Sequence, residues 1–252
     1  MNTENSKRER TYTVNDSLRL IQITDGLTFG TDALLLAGYI DGRYSRGCEL
    51  GGGSGIISML LLTRGKITSA TSLEIQEEYA RLTERNAELN GLTSLTSVCA
   101  DIREYKSDAE YDLVYTNPPY MKTSSGKANA ALNKNAARHE VNGDIDDFAA
   151  AGERLLRFGG SFVAVYRPDR MADLISALRA HRLEPKRMTF VHADTRSESS
   201  MVLVEARRGG GVGLMLTRPL IIYTDKGHSE YTEDMKYIME FGSFPRDFKR
   251  ER

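Results

Sequence analysis

The tetrapeptide Asn117-Pro118-Pro119-Tyr120 is the stretch of this sequence with the clearest capacity for chemistry. Two consecutive prolines lack backbone N–H groups and fix φ, and the residue before a proline is driven out of the helical region. The turn therefore leaves two acceptors, the Asn117 side-chain oxygen and the Pro118 carbonyl, beside the ring of Tyr120. Two acceptors beside a flat ring could bind an amino group on a planar ring. In the alternative, purely structural interpretation, the motif is only a rigid turn that ends a strand.

A glycine turn is the second such pattern. Glu49-Leu50-Gly51-Gly52-Gly53-Ser54-Gly55 lies between a short strand, 47–50, and an apolar helix, 56–62. Glycine allows positive φ and a close approach of the backbone to a ligand, and strand, glycine turn and helix open a nucleotide-binding sheet. An acid before the glycines repels a pyrophosphate but pairs with an ammonium. Glu49 therefore favours S-adenosylmethionine over a dinucleotide such as NAD, which stays the alternative.

Acidic residues also close the next two predicted strands, 70–75 and 95–100. Glu74 follows the glycine turn by about 20 residues, where an acid meets ribose hydroxyls in such folds, and Asp101 is expected to meet the amine of an adenine. Thr31 or Asp32 is expected to cap a helix whose free N–H groups suit a carboxylate. The predicted cofactor-binding residues are Thr31, Asp32, Glu49, Gly51, Gly53, Gly55, Glu74, Ile75, Asp101, Ile102 and Asn117.

The composition is that of an ordinary globular protein, with 40% hydrophobic residues, 27% charged residues and a net charge of −1. No global field then attracts nucleic acid, so binding needs a local basic patch. The long segment after Tyr120 is basic as far as Glu140 and is predicted to be functional or disordered. Its expected substrate-binding residues are Lys122, Lys127, Lys134, Arg138 and His139, and the tail adds Arg246, Lys249, Arg250 and Arg252.

Several classes of protein are not expected. The first ten residues are polar and unlike a signal peptide, and no apolar run approaches the roughly 20 residues of a membrane span. The four histidines and two cysteines have no metal-ligand spacing. Cys48 and Cys99 are interpreted as structural thiols, and the protein is expected to be cytoplasmic. Neither a metal ion nor a membrane is expected as a partner of the protein.

The elements predict an α/β fold, a Rossmann-like, mostly parallel seven-stranded sheet with helices on both faces. Strand 111–116 precedes the catalytic turn, and helix 144–158, strand 161–166 and helix 169–181 follow it. Strands 186–192 and 201–206 have no helix between them and should form a C-terminal antiparallel hairpin. The expected organisation is an N-terminal extension, 1–40, packed on a Rossmann-like core, 41–208, and a partly flexible tail, 209–252.

With these motifs the chain resembles class I S-adenosylmethionine-dependent methyltransferases and, among them, the bacterial tRNA(Val) adenine-N6-methyltransferase family, which modifies the adenine next to the anticodon. The segments that carry the resemblance to this family are residues 29–36, 138–140, 165–168, 219–223 and 230–232. This chain departs from the commoner first motif at Glu49, where aspartate is more frequent. The resemblance implies methylation of an adenine N6 amine, with the anticodon region of tRNA as partner. The catalytic residues would be Asn117, Pro118, Pro119 and Tyr120, with Tyr120 also stacking on the base.

Other functions stay open. Glutamine methyltransferases of release factors share the 117–120 motif. Proteins of that family, however, are expected to have a separate N-terminal helical domain. DNA adenine or a small molecule could be the acceptor, and a non-catalytic RNA-binding module is the alternative of another class. A monomer is the expected oligomeric state.

Overall fold

The computed structural model describes residues 9–24, 29–118 and 143–248. Eleven strands lie in these ranges, in the order β1 Glu9–Asn15, β2 Leu18–Ile23, β3 Tyr44–Leu50, β4 Ile67–Glu74, β5 Leu95–Cys99, β6 Tyr111–Thr116, β7 Leu156–Tyr166, β8 Leu183–His192, β9 Ser199–Arg208, β10 Met215–Leu216 and β11 Leu220–Ile221. The α-helices are α1 Thr31–Tyr39, α2 Ile56–Thr63, α3 Glu77–Leu89, α4 Ile145–Leu155, α5 Met171–Ala180 and α6 Glu233–Phe241, and 3₁₀ turns span Pro168–Arg170 and Arg246–Phe248.

The main sheet has nine strands in the order β10-β8-β9-β7-β6-β3-β4-β5, with β11 also paired to β8. Strands β3 to β7 are mutually parallel, while β9 lies antiparallel between β7 and β8. The predicted parallel sheet and its antiparallel hairpin are therefore confirmed, but the count of seven was wrong. Two strands of two residues each, after a glycine-rich segment, cover the edge of β8, which would otherwise expose unpaired backbone groups.

Helices bury both faces of the sheet, which explains why β6 reads as an unbroken apolar run. Leu113 and Tyr115 face the cluster that includes α1 and α2, and Val114 faces the cluster that includes α4 and α5. The C-terminal residues also enter the first cluster, with Leu220, Ile238 and Phe248 fully buried. Cys48 and Cys99 are free thiols in β3 and β5.

The helix predicted over 144–158 is shorter in the structure. A capping box between Asp144 and Asp147 fixes its start, and it ends at Leu155, after which Leu156 is already extended and opens β7. Gly159 and Gly160, which directly follow the predicted helix, lie inside this strand, where the register with β6 shifts between Leu156 and Ser161. Gly159, with φ of 75°, accommodates that bulge because glycine tolerates a left-handed backbone.

Two buried cations fix α1, the helix that carries Asp32. The ammonium of Lys66 donates to the carbonyls of Ala37, Gly38 and Ile40 at 2.7, 3.1 and 2.6 Å and so caps the C-terminus of α1. The guanidinium of Arg187, on β8, donates to the Tyr39 carbonyl at 2.6 Å and lies 3.8 Å from the centre of the Tyr39 ring. The helix is thereby positioned over the sheet.

Candidate active site

Four neighbouring parallel strands bring the predicted site residues to one edge of the sheet. The order β6-β3-β4-β5 places Asn117, the glycine turn, Glu74 and Asp101 at the carboxyl ends of consecutive strands. Their ends are in register, since Leu50 pairs with both Thr116 and Leu73. This is the carboxyl edge at which open α/β sheets bind ligands.

The side chain of Asn117 is held by Asp32, and its amide has one free end. Asn117 Nδ2 donates to Asp32 Oδ2 at 2.7 Å. Since an ionised carboxylate can only accept, the amide must direct its nitrogen to Asp32. Asn117 Oδ1 is buried and has no hydrogen-bond partner within the described part of the chain. A buried acceptor without a donor costs free energy, so this oxygen is a candidate to receive an N–H from a substrate.

The expected cap of α1 is corrected by the structure. Gly30, with extended backbone, occupies the cap position without any side-chain hydrogen bond, and Thr31 is the first residue of the helix. Asp32 lies in the first turn, where its Oδ1 accepts from the Ala33 amide at 3.0 Å. The predicted cap at Thr31 or Asp32 was therefore wrong, because both residues already lie inside the helix. The second carboxylate oxygen of Asp32 instead accepts from Asn117.

The glycine turn has a left-handed backbone at Gly51, Gly53 and Gly55, with φ of 72°, 56° and 77°. The amide of Gly53 donates to Glu74 Oε2 at 3.0 Å, and its carbonyl accepts from the Thr83 hydroxyl at 2.9 Å. A Cβ on Gly55 would lie 2.6 Å from Thr83 Cγ2. The backbone is thus fixed by contacts with β4 and α3, and these contacts leave no room for a side chain at Gly55.

Glu74 braces this turn. Its Oε1 accepts from the Gln76 amide at 2.9 Å, in addition to the bond from Gly53. Its side chain is buried, and the following Ile75 is half-buried. The carboxylate of Glu74 therefore stabilises the backbone of the turn through its hydrogen bonds with Gly53 and Gln76. Its contact with ribose hydroxyls stays a prediction.

Glu49 lies beneath the glycine turn, with only 1% of its surface exposed. Its Oε2 accepts from the Ser58 amide at 3.2 Å and from the Ser58 hydroxyl, which lies 2.6 Å from the hydroxyl of Tyr115. Burial raises the pKa of Glu49 to about 8, although the hydrogen bonds from Ser58 act in the opposite direction. Sequence reasoning missed this network, which the lone polar residue in the run 56–62 could have indicated.

Asp101 is engaged by a neighbour that the sequence analysis did not include. Arg103 donates from its amide at 2.9 Å and from Nε at 2.9 and 3.0 Å to the two carboxylate oxygens, and these bonds lower the pKa of Asp101. The adjacent Ile102 is buried, and its carbonyl accepts from Arg154 Nη2 at 2.6 Å. An adenine amine that meets Asp101, as predicted, would share the carboxylate with Arg103.

Part of the predicted site falls outside the described ranges. Pro118 is buried directly after Asn117. The predicted site residues that lie outside the described ranges are Pro119, Tyr120, Lys122, Lys127, Lys134, Arg138 and His139, together with Lys249, Arg250 and Arg252 of the tail. In the described ranges, no group of three or more His, Cys, Asp or Glu side chains could hold a metal ion. No helix in those ranges has the length and apolar character needed to cross a membrane.

Known proteins resemble this chain in sequence and in fold. The sequence profile of the methyltransferase small domain family matches residues 24–175. The tRNA1(Val) (adenine(37)-N6)-methyltransferase of Aeromonas hydrophila is 30% identical over 183 residues, 71% of this chain and 76% of that protein. The protein of the same name from Phocaeicola vulgatus is 28% identical over 177 residues, 69% of this chain and 74% of that protein. A solved structure of a predicted O-methyltransferase from Agrobacterium tumefaciens has a TM-score of 0.68 at 23% identity, over 85% of this chain and 98% of that one, a likeness of fold alone.

Proposed function

Since the chain belongs to the methyltransferase small domain family and to the tRNA1(Val) adenine-N6-methyltransferases, we propose that it methylates the exocyclic N6 amine of an adenine in tRNA. The relatives' names point to position 37, next to the anticodon. The observation that carries the chemical part of the proposal is the buried, partnerless Oδ1 of Asn117 at the carboxyl edge of the sheet. The reaction is proposed to take place in the cytoplasm.

The methyl donor is S-adenosylmethionine, which supplies an electrophilic methyl group on a sulfonium. The donor set at the strand ends fits this molecule, because carboxylates pair with its ammonium and hydroxyl groups and a glycine turn admits close backbone contact. We assign its binding to Glu49, Glu74 and Asp101, with the glycines of the turn between them. Thr31, Asp32, Ile75 and Ile102 are proposed as further contacts.

Asn117 is the residue proposed to act on the nucleophile. An exocyclic amine on adenine is a weak nucleophile because its lone pair is delocalised into the ring. A hydrogen bond from that amine to Asn117 Oδ1, and a second to the Pro118 carbonyl, would localise the lone pair and direct it away from the ring. The bond from Asn117 Nδ2 to Asp32 prevents the amide from presenting its nitrogen instead. No proton acceptor with a tuned pKa is needed for this role.

Orientation supplies the rest of the acceleration. Asn117 is fixed on the rigid end of β6, one strand away from the glycine turn, so the amine and the methyl donor are held on adjacent strand ends. Correct placement of two reactants is worth up to roughly 7–11 kcal/mol in favourable intramolecular systems. Tyr120 is proposed to stack on the base and fix its plane.

A panel of acceptors tests the proposal. The purified chain is incubated with labelled S-adenosylmethionine and, separately, with unmodified tRNA, a release-factor protein, duplex DNA and free adenosine. We expect label in tRNA alone, recovered as N6-methyladenosine after digestion. Label in the release factor would instead indicate that the Asn117 oxygen accepts from the amide of a glutamine substrate and that the chain methylates protein. Binding of tRNA without any transfer would leave a non-catalytic RNA-binding module.

A further inference from the structure

Three aromatic rings stack on each other near the C-terminal end of the described chain. The rings of Tyr223 and His228 have centroids 4.5 Å apart and planes inclined by 13°. The rings of Tyr223 and Tyr231 lie 5.1 Å apart with planes inclined by 19°. Tyr223 and Tyr231 face each other across an antiparallel bridge and pack on the core. His228 extends this ring stack towards solvent, with 46% of its side chain exposed.

The ring stack lies at the same edge of the sheet as Asn117. Strand β8 runs in the same direction as β6 and β7, because β9 is antiparallel to both β7 and β8. Strand β11 continues along the carboxyl end of β8, where the Tyr223 amide donates to the Ala193 carbonyl at 2.8 Å. Four inter-strand steps separate β6 from β11, or roughly 19 Å at about 4.8 Å per step.

The backbone holds His228 in a conformation that few side chains adopt. Its φ is 53°, and Arg182 is the only other non-glycine residue with positive φ in the described ranges. The turn is closed by Asp225, whose two carboxylate oxygens accept from the Ser229 amide at 3.0 Å and from its hydroxyl at 2.8 Å. Asp194 Oδ2 lies 3.7 Å from His228 Nε2. A strained residue that its surroundings hold in place is a reason to look for a role.

Two exposed cations belong to the segments that carry or contact the ring stack. Arg196 is exposed in the loop of Asp194, and Lys226 is exposed two residues before His228. Neither side chain has a hydrogen-bond or ion-pair partner among the residues described here. Three carboxylates of these segments have other partners: Asp194 accepts from the Ser197 hydroxyl at 2.7 Å, Asp225 accepts from the Ser229 hydroxyl at 2.8 Å, and Glu230 pairs with Lys236 at 3.1 Å.

We propose that the ring stack of Tyr223, His228 and Tyr231, with Arg196 and Lys226, binds an unpaired base of the RNA substrate and the phosphates beside it. Flat aromatic surfaces flanked by cations bind single-stranded nucleic acid, because every base has a face to stack and every nucleotide a charge. This inference rests on the proposed function. It assigns the ring stack to a nucleotide that flanks the target base, at a distance from the Asn117 pocket.

The test compares variants of the full chain in binding to a fluorescent single-stranded RNA loop that contains the target adenine. His228→Asn removes the ring but tolerates the left-handed backbone. It should weaken RNA binding by about fivefold to a hundredfold, as expected for one stacked base. His228→Tyr keeps a ring and should stay close to wild type. The affinity for S-adenosylmethionine should be equal in all three proteins, and melting curves verify their folding.

A charge-matched pair of double variants completes the test. Arg196→Ala with Lys226→Ala should weaken RNA binding and flatten its salt dependence by about 1.4 in log–log slope. Arg43→Ala with Arg207→Ala removes the same charge at the opposite edge, near the start of β3 and the end of β9, and should change neither. If wild-type protein methylates the RNA while His228→Asn binds it equally well, the ring-stack proposal is overturned and the proposed function stands. If wild-type protein neither binds nor methylates RNA, both fail.

Discussion

The nitrogen of the Asn117 side chain lies 2.7 Å from a carboxylate oxygen of Asp32, across 85 residues of sequence. This hydrogen bond connects the first turn of α1 to the end of β6 and determines which end of the amide faces the substrate pocket. The motif after β6 supplies the acceptor, while a residue from the N-terminal helix orients it. Asp32 is therefore a positioning residue for Asn117, in addition to its predicted place near the cofactor.

Replacement of Asp32 tests this relationship. Asp32→Asn keeps the shape of the side chain but can donate, so the Asn117 amide is free to rotate and present its nitrogen to the substrate. We expect kcat to fall about tenfold, the value of one hydrogen bond of roughly 1.4 kcal/mol. The Kd for S-adenosylmethionine, measured by calorimetry, should change less than kcat. A raised Kd with unchanged kcat would assign Asp32 to the cofactor alone.

The glycine turn permits a controlled test of cofactor binding. Gly53→Val adds a branched side chain to a left-handed position in the turn and should abolish S-adenosylmethionine binding in calorimetry. Gly65→Val is the matched control, because Gly65 has φ of 63° and a Cβ there meets no atom within 4 Å. Both variants carry the left-handed strain, so only the loss of approach space distinguishes them. Equal, near-normal binding in both would contradict the assignment, and binding of NAD by wild-type protein would favour a dinucleotide enzyme.

The affinity for S-adenosylmethionine is expected to depend on pH because the pKa of Glu49 is raised. Its pKa is about 8 in the structure, against an ordinary value of 4.5, because burial disfavours the charge. The carboxyl is then mostly neutral at pH 7, whereas pairing with an ammonium requires the ionised form. Affinity for S-adenosylmethionine should therefore rise from pH 6 to pH 7.5, by at most about tenfold per pH unit. Glu49→Gln should remove this slope, and a slope that persists in the variant would exclude Glu49 as its source.

The same group affects folding with the opposite sign. A raised pKa means that the folded chain binds more protons than the unfolded chain between pH 4.5 and about pH 8. Stability from the neutral carboxyl is thus complete below pH 4.5 and is lost as the pH rises through about 8. The melting temperature of wild-type protein without ligand should fall over this range relative to Glu49→Gln. Parallel curves would show that Glu49 is ionised in the folded protein.

The elements and their order could be predicted from the sequence because each depends on local pattern. Leu113-Val114-Tyr115 is apolar on both faces, and the glycines mark the turn after β3. The hydrogen bonds that complete the site could not be predicted, because Asp32 with Asn117 and Glu49 with Ser58 meet only through tertiary packing. The predicted end of helix 144–158 was wrong for a related reason. Strand pairing with β6 begins β7 at Leu156, although the local sequence would extend the helix.

The basic segment after Tyr120 is predicted to position the RNA. Replacing Lys122, Lys127 and Lys134 with alanine should flatten the log–log salt dependence of tRNA binding by about two, at roughly 0.7 to 0.9 per phosphate contact. Affinity for S-adenosylmethionine should barely change, because these charges lie outside the glycine turn in sequence. Filter binding from 50 to 300 mM salt measures the slope. Normal tRNA methylation by the triple variant at physiological salt would show that this segment does not bind the substrate.

Nucleoside mass spectrometry on tRNA treated with wild-type protein and with Asn117→Ala tests the central claim most directly. We expect wild-type protein to produce N6-methyladenosine next to the anticodon. Asn117→Ala should still bind S-adenosylmethionine, although Asn117 is among the predicted cofactor-binding residues, and should lose roughly 100-fold or more in kcat, because its side-chain oxygen acts on the incoming amine. Near-normal turnover by Asn117→Ala would contradict the account, because Asn117 would then only terminate a strand.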